Sequence, residues 1–278
     1  MTGAQSSILT DAATGRLAVA ELAQLERDGF VVREDLFSAT EVAAICASCE
    51  ELVADLVRDR QLRRFPVGSY VFAPDYERAV MIKWEGDSDV VHGLEPFAHL
   101  RPDLMALALD PRFVTPMQDL VGDPAPELFT EKLNLKRPEV GGINPLHQDY
   151  PYWVGTAQTP ERVATAMMLL DDSTLENGCL QVVPGSHRSG QWRNRTDSDE
   201  FGKNEIEAAA YADVALRPLP LRAGSVVMFG SFLVHKSEPN RSSLQRRAIL
   251  FSYQPPGSRT MLESMRDMAA ARRQKVGK

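Results

Sequence analysis

The 278-residue sequence has only three cysteines, seven lysines among its 31 basic residues, no internal repeat and no low-complexity tract. Each scarcity excludes something. The longest apolar candidate, Val163 to Leu170, is interrupted by Thr165 and falls far short of the roughly 18 residues that a membrane span needs. An odd cysteine count in a chain of this length is no disulfide framework. With 38 acidic residues and a net charge of −7, a nucleic-acid binder that relies on a basic face is not expected. Small-molecule chemistry fits better. The opening residues, MTGAQSSILT, lack a basic stretch followed by an apolar one, so no signal peptide and a cytoplasmic location are expected. What remains is 44% hydrophobic and 25% charged, the proportions of a globular protein with enough chain to bury a core.

Cys46 and Cys49 have the spacing of a redox or zinc motif. Redox pairs of this kind want the first cysteine at a helix N-terminus, whereas these lie inside a patterned helix. Ser38-Ala39-Thr40-Glu41 is a capping box, after which Val42, Ile45, Cys49, Leu52, Val53 and Leu56 recur at helical spacing. No second pair completes a zinc site. The reading is core packing.

The first third of the chain reads as mostly helical, with helices over 17–28, 39–60 and parts of 96–120, a short strand at Phe30-Val31-Val32, and extended chain at 68–84 broken at Pro74. After the Asp-Pro-Ala-Pro stretch at 123–126 the texture changes. Leu128–Lys136, Val163–Leu170, Cys179–Val183, Ser225–Phe229, Phe232–His235 and Arg247–Tyr253 read as short strands between turn signals, the pattern of an antiparallel sandwich or barrel. The expected organisation is one domain over 1–278: a mostly helical part over 1–125 packed on a β core over 126–256, a polar insertion at 188–214, and a helical tail over 257–278.

Asn144-Pro145-Leu146-His147-Gln148-Asp149 is the informative stretch. Residues at i and i+2 of an extended segment share a side, so His147 and Asp149 can converge on one ion. His235 is the best candidate for a third ligand. Two histidines and one carboxylate on one face of a metal leave open positions, which suits non-haem Fe(II) oxygenases. The hairpin after His235 strengthens this. Arg246 opens the next strand, and an arginine inside a barrel is costly unless an anion meets it. With Ser237 it could hold the far carboxylate of a dicarboxylic co-substrate.

The sequence resembles the phytanoyl-CoA dioxygenase family of Fe(II)/2-oxoglutarate-dependent oxygenases. The resemblance rests on Asp28-Gly29-Phe30-Val31-Val32, His147-Gln148-Asp149, Leu175 to Leu180 (LENGCL), Val183 to Arg188 (VPGSHR), and His235-x-Ser237 with Arg246 eleven residues beyond His235. It implies a double-stranded β-helix (jelly-roll) core, mainly β with flanking helices. It also implies iron on His147, Asp149 and His235, with 2-oxoglutarate on Arg246 and Ser237 and O2 as the second co-substrate. Asn134 matches an asparagine that some members direct at 2-oxoglutarate, and Gln148 is expected to line the co-substrate site. Met167 stands where several members carry a tryptophan. Tyr150-Pro151-Tyr152-Trp153 lacks the longer ectoine hydroxylase signature, so an ectoine substrate is not expected. Related halogenases carry Ala or Gly at the Asp149 position, so hydroxylation is expected, not chlorination.

Tyr150, Tyr152, Trp153, Lys83 and Trp84 are candidates for a substrate pocket, although packing explains each one alone. His187 reads as a turn residue, His92 and His99 as surface residues, and Arg247 as meeting solvent or an acidic neighbour. Two other classes stay open: a non-catalytic jelly-roll that senses 2-oxoglutarate or another small acid, and a cupin-like enzyme using another metal. Activity that needs both iron and 2-oxoglutarate separates them.

Overall fold

The structure is a computed structural model that describes residues 15–58, 62–67, 70–86, 88–195 and 204–276. In chain order the main elements are α1 (Val19–Asp28), β1 (Phe30–Arg33), α2 (Ala39–Val57), β2 (Phe65–Val67), β3 (Tyr70–Asp75), β4 (Val80–Glu85) and β5 (Val91–Glu95). Next come α3 (Pro102–Ala108), α4 (Pro111–Val121), β6 (Glu127–Lys136), β7 (Asn144–His147), α5 (Tyr150–Trp153), β8 (Ala164–Leu169) and β9 (Leu180–Val182). The chain continues through β10 (Arg217–Leu219), β11 (Val226–Gly230), β12 (His235–Ser237), β13 (Arg246–Gln254) and α6 (Met261–Val276). Among the described residues the strands form two antiparallel sheets. The major one has the order β1-β11-β8-β13-β6-β5-β4-β3-β2 and the minor one β10-β9-β12-β7. The fold is a jelly roll, mainly β with flanking helices. No described helix is long and apolar enough to cross a membrane.

Strand alternation assigns each residue of the major sheet to one of two faces. On β13, Ile249, Phe251 and Tyr253 join the core beneath the helices, whereas Ala248 and Leu250 turn inward between the sheets. The outer face is built like a conventional core. Phe113 of α4 lies 5.1 Å, centroid to centroid, from both Phe37 and Phe251. The capping box of α2 forms as expected, with Ser38 Oγ accepting from the Glu41 N–H at 3.3 Å and Glu41 accepting from the Ser38 N–H at 2.8 Å. Cys49 is fully buried on that helix, and burial pushes its thiol up to about 12. Such a thiol has almost no thiolate at neutral pH, which fits a packing role.

Three expectations need correction. The first 125 residues are not mostly helical, because β2 to β5 fill 65–95 and widen the major sheet beyond β6. Pro74 does not break β3. Beyond the β2 pairing, which ends at Phe65↔Phe72, β3 has a partner on one side only, and an edge tolerates a missing N–H. The strand expected over Phe232–His235 begins only at His235. Before it the Leu233 N–H closes a turn onto Gly230 O at 3.1 Å and the Val234 N–H donates to Ser186 Oγ at 2.9 Å. Within the insertion, 196–203 lie outside the described residues. Its flanks pack on the minor sheet through Ile206, Val183 and Val234, with Trp192 stacked on Tyr211 at 4.2 Å.

Candidate metal centre and co-substrate pocket

The minor sheet pairs β12 directly with β7, with His235 opposite His147. Two imidazoles on adjacent strands at one register position must face the same side, and their ring centroids are 4.1 Å apart. Asp149 arrives differently from the expected i, i+2 alternation. β7 ends at His147, and Asp149 sits two residues past it, in helical conformation at the start of α5. This turn still brings Asp149 Oδ1 to 3.9 Å from His147 Nε2. Among the described residues, His147, Asp149 and His235 are the group whose possible ligand atoms converge, all within 4.8 Å of one another.

Both histidines are prepared to give a lone pair. His147 Nδ1–H donates to Pro145 O at 2.7 Å and His235 Nδ1–H donates to Leu233 O at 2.9 Å. Each bond fixes the tautomer that leaves Nε2 free. Burial, with the neighbouring His235, lowers the His147 pKa to about 3, so the ring is neutral at physiological pH. Nitrogen, nitrogen and carboxylate oxygen on one face form the donor set of a non-haem Fe(II) site with open positions.

These residues open onto a cavity of about 310 Å³. Arg246, at the start of β13, lines it and is 1% exposed. Its Nε and Nη2 have no hydrogen-bond partner. Burial lowers its pKa only to about 10, so the charge stays. A buried, charged and unpartnered guanidinium is costly, and a carboxylate in the cavity would satisfy it bidentately. Ser237 lies at the same end, its Oγ accepting from Asn144 Nδ2 at 3.0 Å. Asn134 lines the cavity wall on β6. The residues present therefore fit both Fe(II) and a dicarboxylate such as 2-oxoglutarate.

Lys136 was not legible as the cross-strand neighbour of Arg246. It pairs with Arg246 across β6 and β13, is fully buried, and donates from Nζ to Glu238 O at 2.8 Å and to Gly142 O. Burial and the adjacent Arg246 lower its pKa to about 7. A strand lysine set between Leu135 and Arg137 carries no local signal of this. Lys132, Lys83 and Glu95 also line the cavity, and Met261 of the tail reaches it.

The remaining expectations divide, some met and some not, each for a physical reason. Gln148 does not line the co-substrate site, because the residue between the two ligands points the other way. Its Nε2 donates to Gly190 O at 2.9 Å and Phe232 O at 2.7 Å, and its Oε1 accepts from the Trp192 N–H at 2.7 Å. Tyr150 stacks on Phe232 at 4.5 Å, while Tyr152 and Trp153 do line the cavity. Trp84 belongs to the core under the helices. His92 is not at the surface. It is buried with Nδ1 bonded to Glu85, and burial, reinforced by Lys83, lowers its pKa to about 4. His99 is half-buried with Nε2 donating to Arg78 O at 2.7 Å. His187 sits in a turn over Gly29, away from the ligand group. Arg247 meets acidic neighbours, Asp171 and Glu50.

Known proteins support the same chemistry. The family profile described as phytanoyl-CoA dioxygenase (PhyH) matches residues 25–248. The chain is 29% identical over 197 residues to L-proline trans-4-hydroxylase of Streptomyces griseoviridis, covering 64% of this chain and 72% of that protein. It is 27% identical over 263 residues to phytanoyl-CoA dioxygenase domain-containing protein 1 of Mus musculus, covering 84% and 88%. Its fold matches the crystal structure of EctD from S. alaskensis with 2-oxoglutarate and 5-hydroxyectoine at a TM-score of 0.66, with 25% identity over 87% of this chain and 77% of that one.

Proposed function

The chain belongs to the phytanoyl-CoA dioxygenase family and is an Fe(II)/2-oxoglutarate-dependent oxygenase, and from that premise we propose that it hydroxylates a C–H bond of a small metabolite or natural-product intermediate. His147, Asp149 and His235 are the iron ligands of this reading. Arg246 and Ser237 hold the far carboxylate of 2-oxoglutarate, and Asn134 contributes from the wall. The observation that carries it is one cavity combining three convergent ligand atoms with a buried guanidinium that has no partner.

When bound, iron with 2-oxoglutarate and O2 supplies the oxidising chemistry, and the co-substrate leaves as succinate and CO2. The chain's own share is positional. The backbone carbonyls of Pro145 and Leu233 hold the two imidazoles in the ligating tautomer. Arg246 orients the co-substrate from a distance, so that its other end meets the metal. Asp149 fills with a carboxylate the position that a halide would need, which favours hydroxylation over chlorination. Tyr152, set edge-on to the His147 ring at 5.9 Å, and Trp153 form the wall against which substrate lies.

Oxygen-free absorption titration of the protein with Fe(II) and 2-oxoglutarate tests this. A weak visible band that needs both additions is expected. It vanishes in His235→Ala and needs far more 2-oxoglutarate in Arg246→Ala. A folded wild type that binds iron yet gives no band with 2-oxoglutarate would overturn the reading.

A further inference from the structure

The two halves of the co-substrate grip stand on different sheets. Arg246 opens β13 of the major sheet and Ser237 ends β12 of the minor one, so the gap between the sheets decides whether both reach one carboxylate. At this end of the molecule the chain passes between the sheets twice. Residues 137–143 lead from β6 of the major sheet to β7 of the minor one, and 238–245 lead from β12 back to β13. Asn144, the first residue of β7, ties to Ser237 through its Nδ2 at 3.0 Å. The two crossings therefore lie side by side where this reading puts the far carboxylate.

Lys136 reaches both crossings. It is the last residue of β6, paired directly with Arg246. Its Nζ donates to Gly142 O near the end of the first crossing and to Glu238 O at the start of the second. Further bonds gather the loops at the same place. The Gly142 N–H donates to Glu85 Oε1 of β4 at 2.7 Å, the Asn240 N–H to Gly141 O at 2.8 Å, and Asn240 Nδ2 to Lys136 O at 3.0 Å. The approach leaves no room for side chains. A Cβ on Gly141 would stand 2.7 Å from Lys136 Cα, and one on Gly178, in left-handed conformation at φ +80°, would collide with Glu238 O. One buried group bonded to both crossings needs two N–H donors on a long stem, and a lysine keeps two even as the neutral amine. Glu85 offsets the charge of the ammonium. Lys136 is thus satisfied within the chain and, unlike Arg246 and Ser237, does not line the cavity. Its bonds shape the pocket without touching what fills it.

We propose that Lys136 is the positioning residue of the co-substrate end: by bridging both crossings it holds Ser237 of the minor sheet at the distance from Arg246 that one carboxylate spans. The inference rests on the iron and 2-oxoglutarate reading, which puts that carboxylate there. It separates two roles within one row of the sheet. Arg246 supplies the charge that the ligand meets, and Lys136 fixes the frame in which it is met. The metal end depends on this bridge less, because His147 and His235 are paired directly across β7 and β12.

Calorimetric titration of oxygen-free, Fe(II)-loaded enzyme with 2-oxoglutarate and with 2-oxopentanoate, which has a methyl in place of the far carboxylate, tests the proposal. In Lys136→Met the preference for 2-oxoglutarate should fall about tenfold from the wild-type value, while the affinities for Fe(II) and for 2-oxopentanoate stay within about threefold. Gly141→Ala keeps the ammonium and pushes the first crossing off Lys136. Its preference should fall in the same sense, and the double variant should lose no more than Lys136→Met alone. A lysine that only stabilised the fold would lower the melting temperature when replaced and leave the preference unchanged. Melting curves establish that each variant is folded, with Lys136→Gln in reserve if the methionine variant is not. An unchanged preference in folded Lys136 variants overturns the proposal. So does an unchanged preference in Gly141→Ala, which would assign the effect to charge alone; both outcomes leave the co-substrate reading standing. Wild type that binds the two ligands equally overturns that reading and the proposal with it.

Discussion

Arg246 and Arg247 are neighbours on one strand, and they report on opposite faces of the major sheet. Arg247 points out beneath the helices. There its backbone N–H, Nε and Nη2 all bond Asp171 at 2.7–2.9 Å, and its Nη1 bonds Glu50 at 3.1 Å. Arg246 points in and leaves Nε and Nη2 without a partner. The same contrast holds along the sheet. On the outer face the buried Glu131 accepts from the Phe97 and Ala98 N–H groups at 2.9 and 2.7 Å, and Tyr253 donates to Ala108 O at 2.7 Å. These outer-face groups find their partners within the folded chain, whereas Arg246 on the inner face does not. A residue that stabilises the fold and a residue that binds from it can thus be adjacent in sequence and identical in type.

Substitutions can sharpen or break this contrast. The largest expected effect is in Arg246→Met, whose 2-oxoglutarate affinity falls about a hundredfold or more, since losing one partner of a buried charge pair costs about 2–5 kcal/mol. The same variant, without ligand, should melt higher than wild type, because replacing a buried unpaired charge by an apolar side chain gains about 1–3 kcal/mol. Arg247→Met should do the reverse. It loses about 2 kcal/mol of stability through the Asp171 carboxylate left behind, with 2-oxoglutarate affinity little changed; melting and calorimetry on the pair check both signs.

The third effect is on pH. The folded His92 pKa of about 4 lies below its ordinary value of 6.5. Between those values the unfolded chain binds a proton that the folded chain does not, so stability falls as the pH drops from 6.5 towards 4. His92→Gln, which keeps a donor for Glu85, should lose about 1.4 kcal/mol less per pH unit over that window, read by urea unfolding at stepped pH. The smallest effect is at Cys46→Ala, expected within about 0.5 kcal/mol of wild type. Its activity should not respond to thiol reductants, since burial raises the thiol pKa.

How legible all this was in sequence followed from which partner each residue type implies. The strands of β8, β11 and β13 are runs of β-formers, and only their ends moved by a residue or two. Arg246 was legible because an arginine in such a run needs an anion, and Arg247 because alternation sends it to the other face. The strands over 65–95 were legible only in part: 68–84 reads as extended chain, but β2, β5 and the place of β4 in the sheet do not show. In β4 the apolar Val80, Ile82 and Trp84 alternate with Met81, Lys83 and Glu85, which reads as a solvent-facing edge until the cavity behind it is known. Gln148 was misassigned because nothing local shows that Gly190, Phe232 and Trp192, all distant in sequence, meet its amide. His92 was missed although its partner Glu85 is only seven residues away, because the two meet only once the β4–β5 hairpin forms. Convergence of His147 and Asp149 was anticipated, but through alternation within a strand. The turn into α5 that achieves it depends on tertiary packing.

The central claim is that Arg246 is left unpaired so that the far carboxylate of 2-oxoglutarate can complete it. The most direct measurement compares the affinity of 2-oxoglutarate with that of 2-oxopentanoate, in which a methyl replaces that carboxylate, using oxygen-free Fe(II)-loaded wild type and Arg246→Met. In wild type the methyl analogue should bind about a hundredfold more weakly, and in Arg246→Met the two ligands should bind within a few-fold of each other. An equal penalty for the missing carboxylate in both proteins would contradict the account.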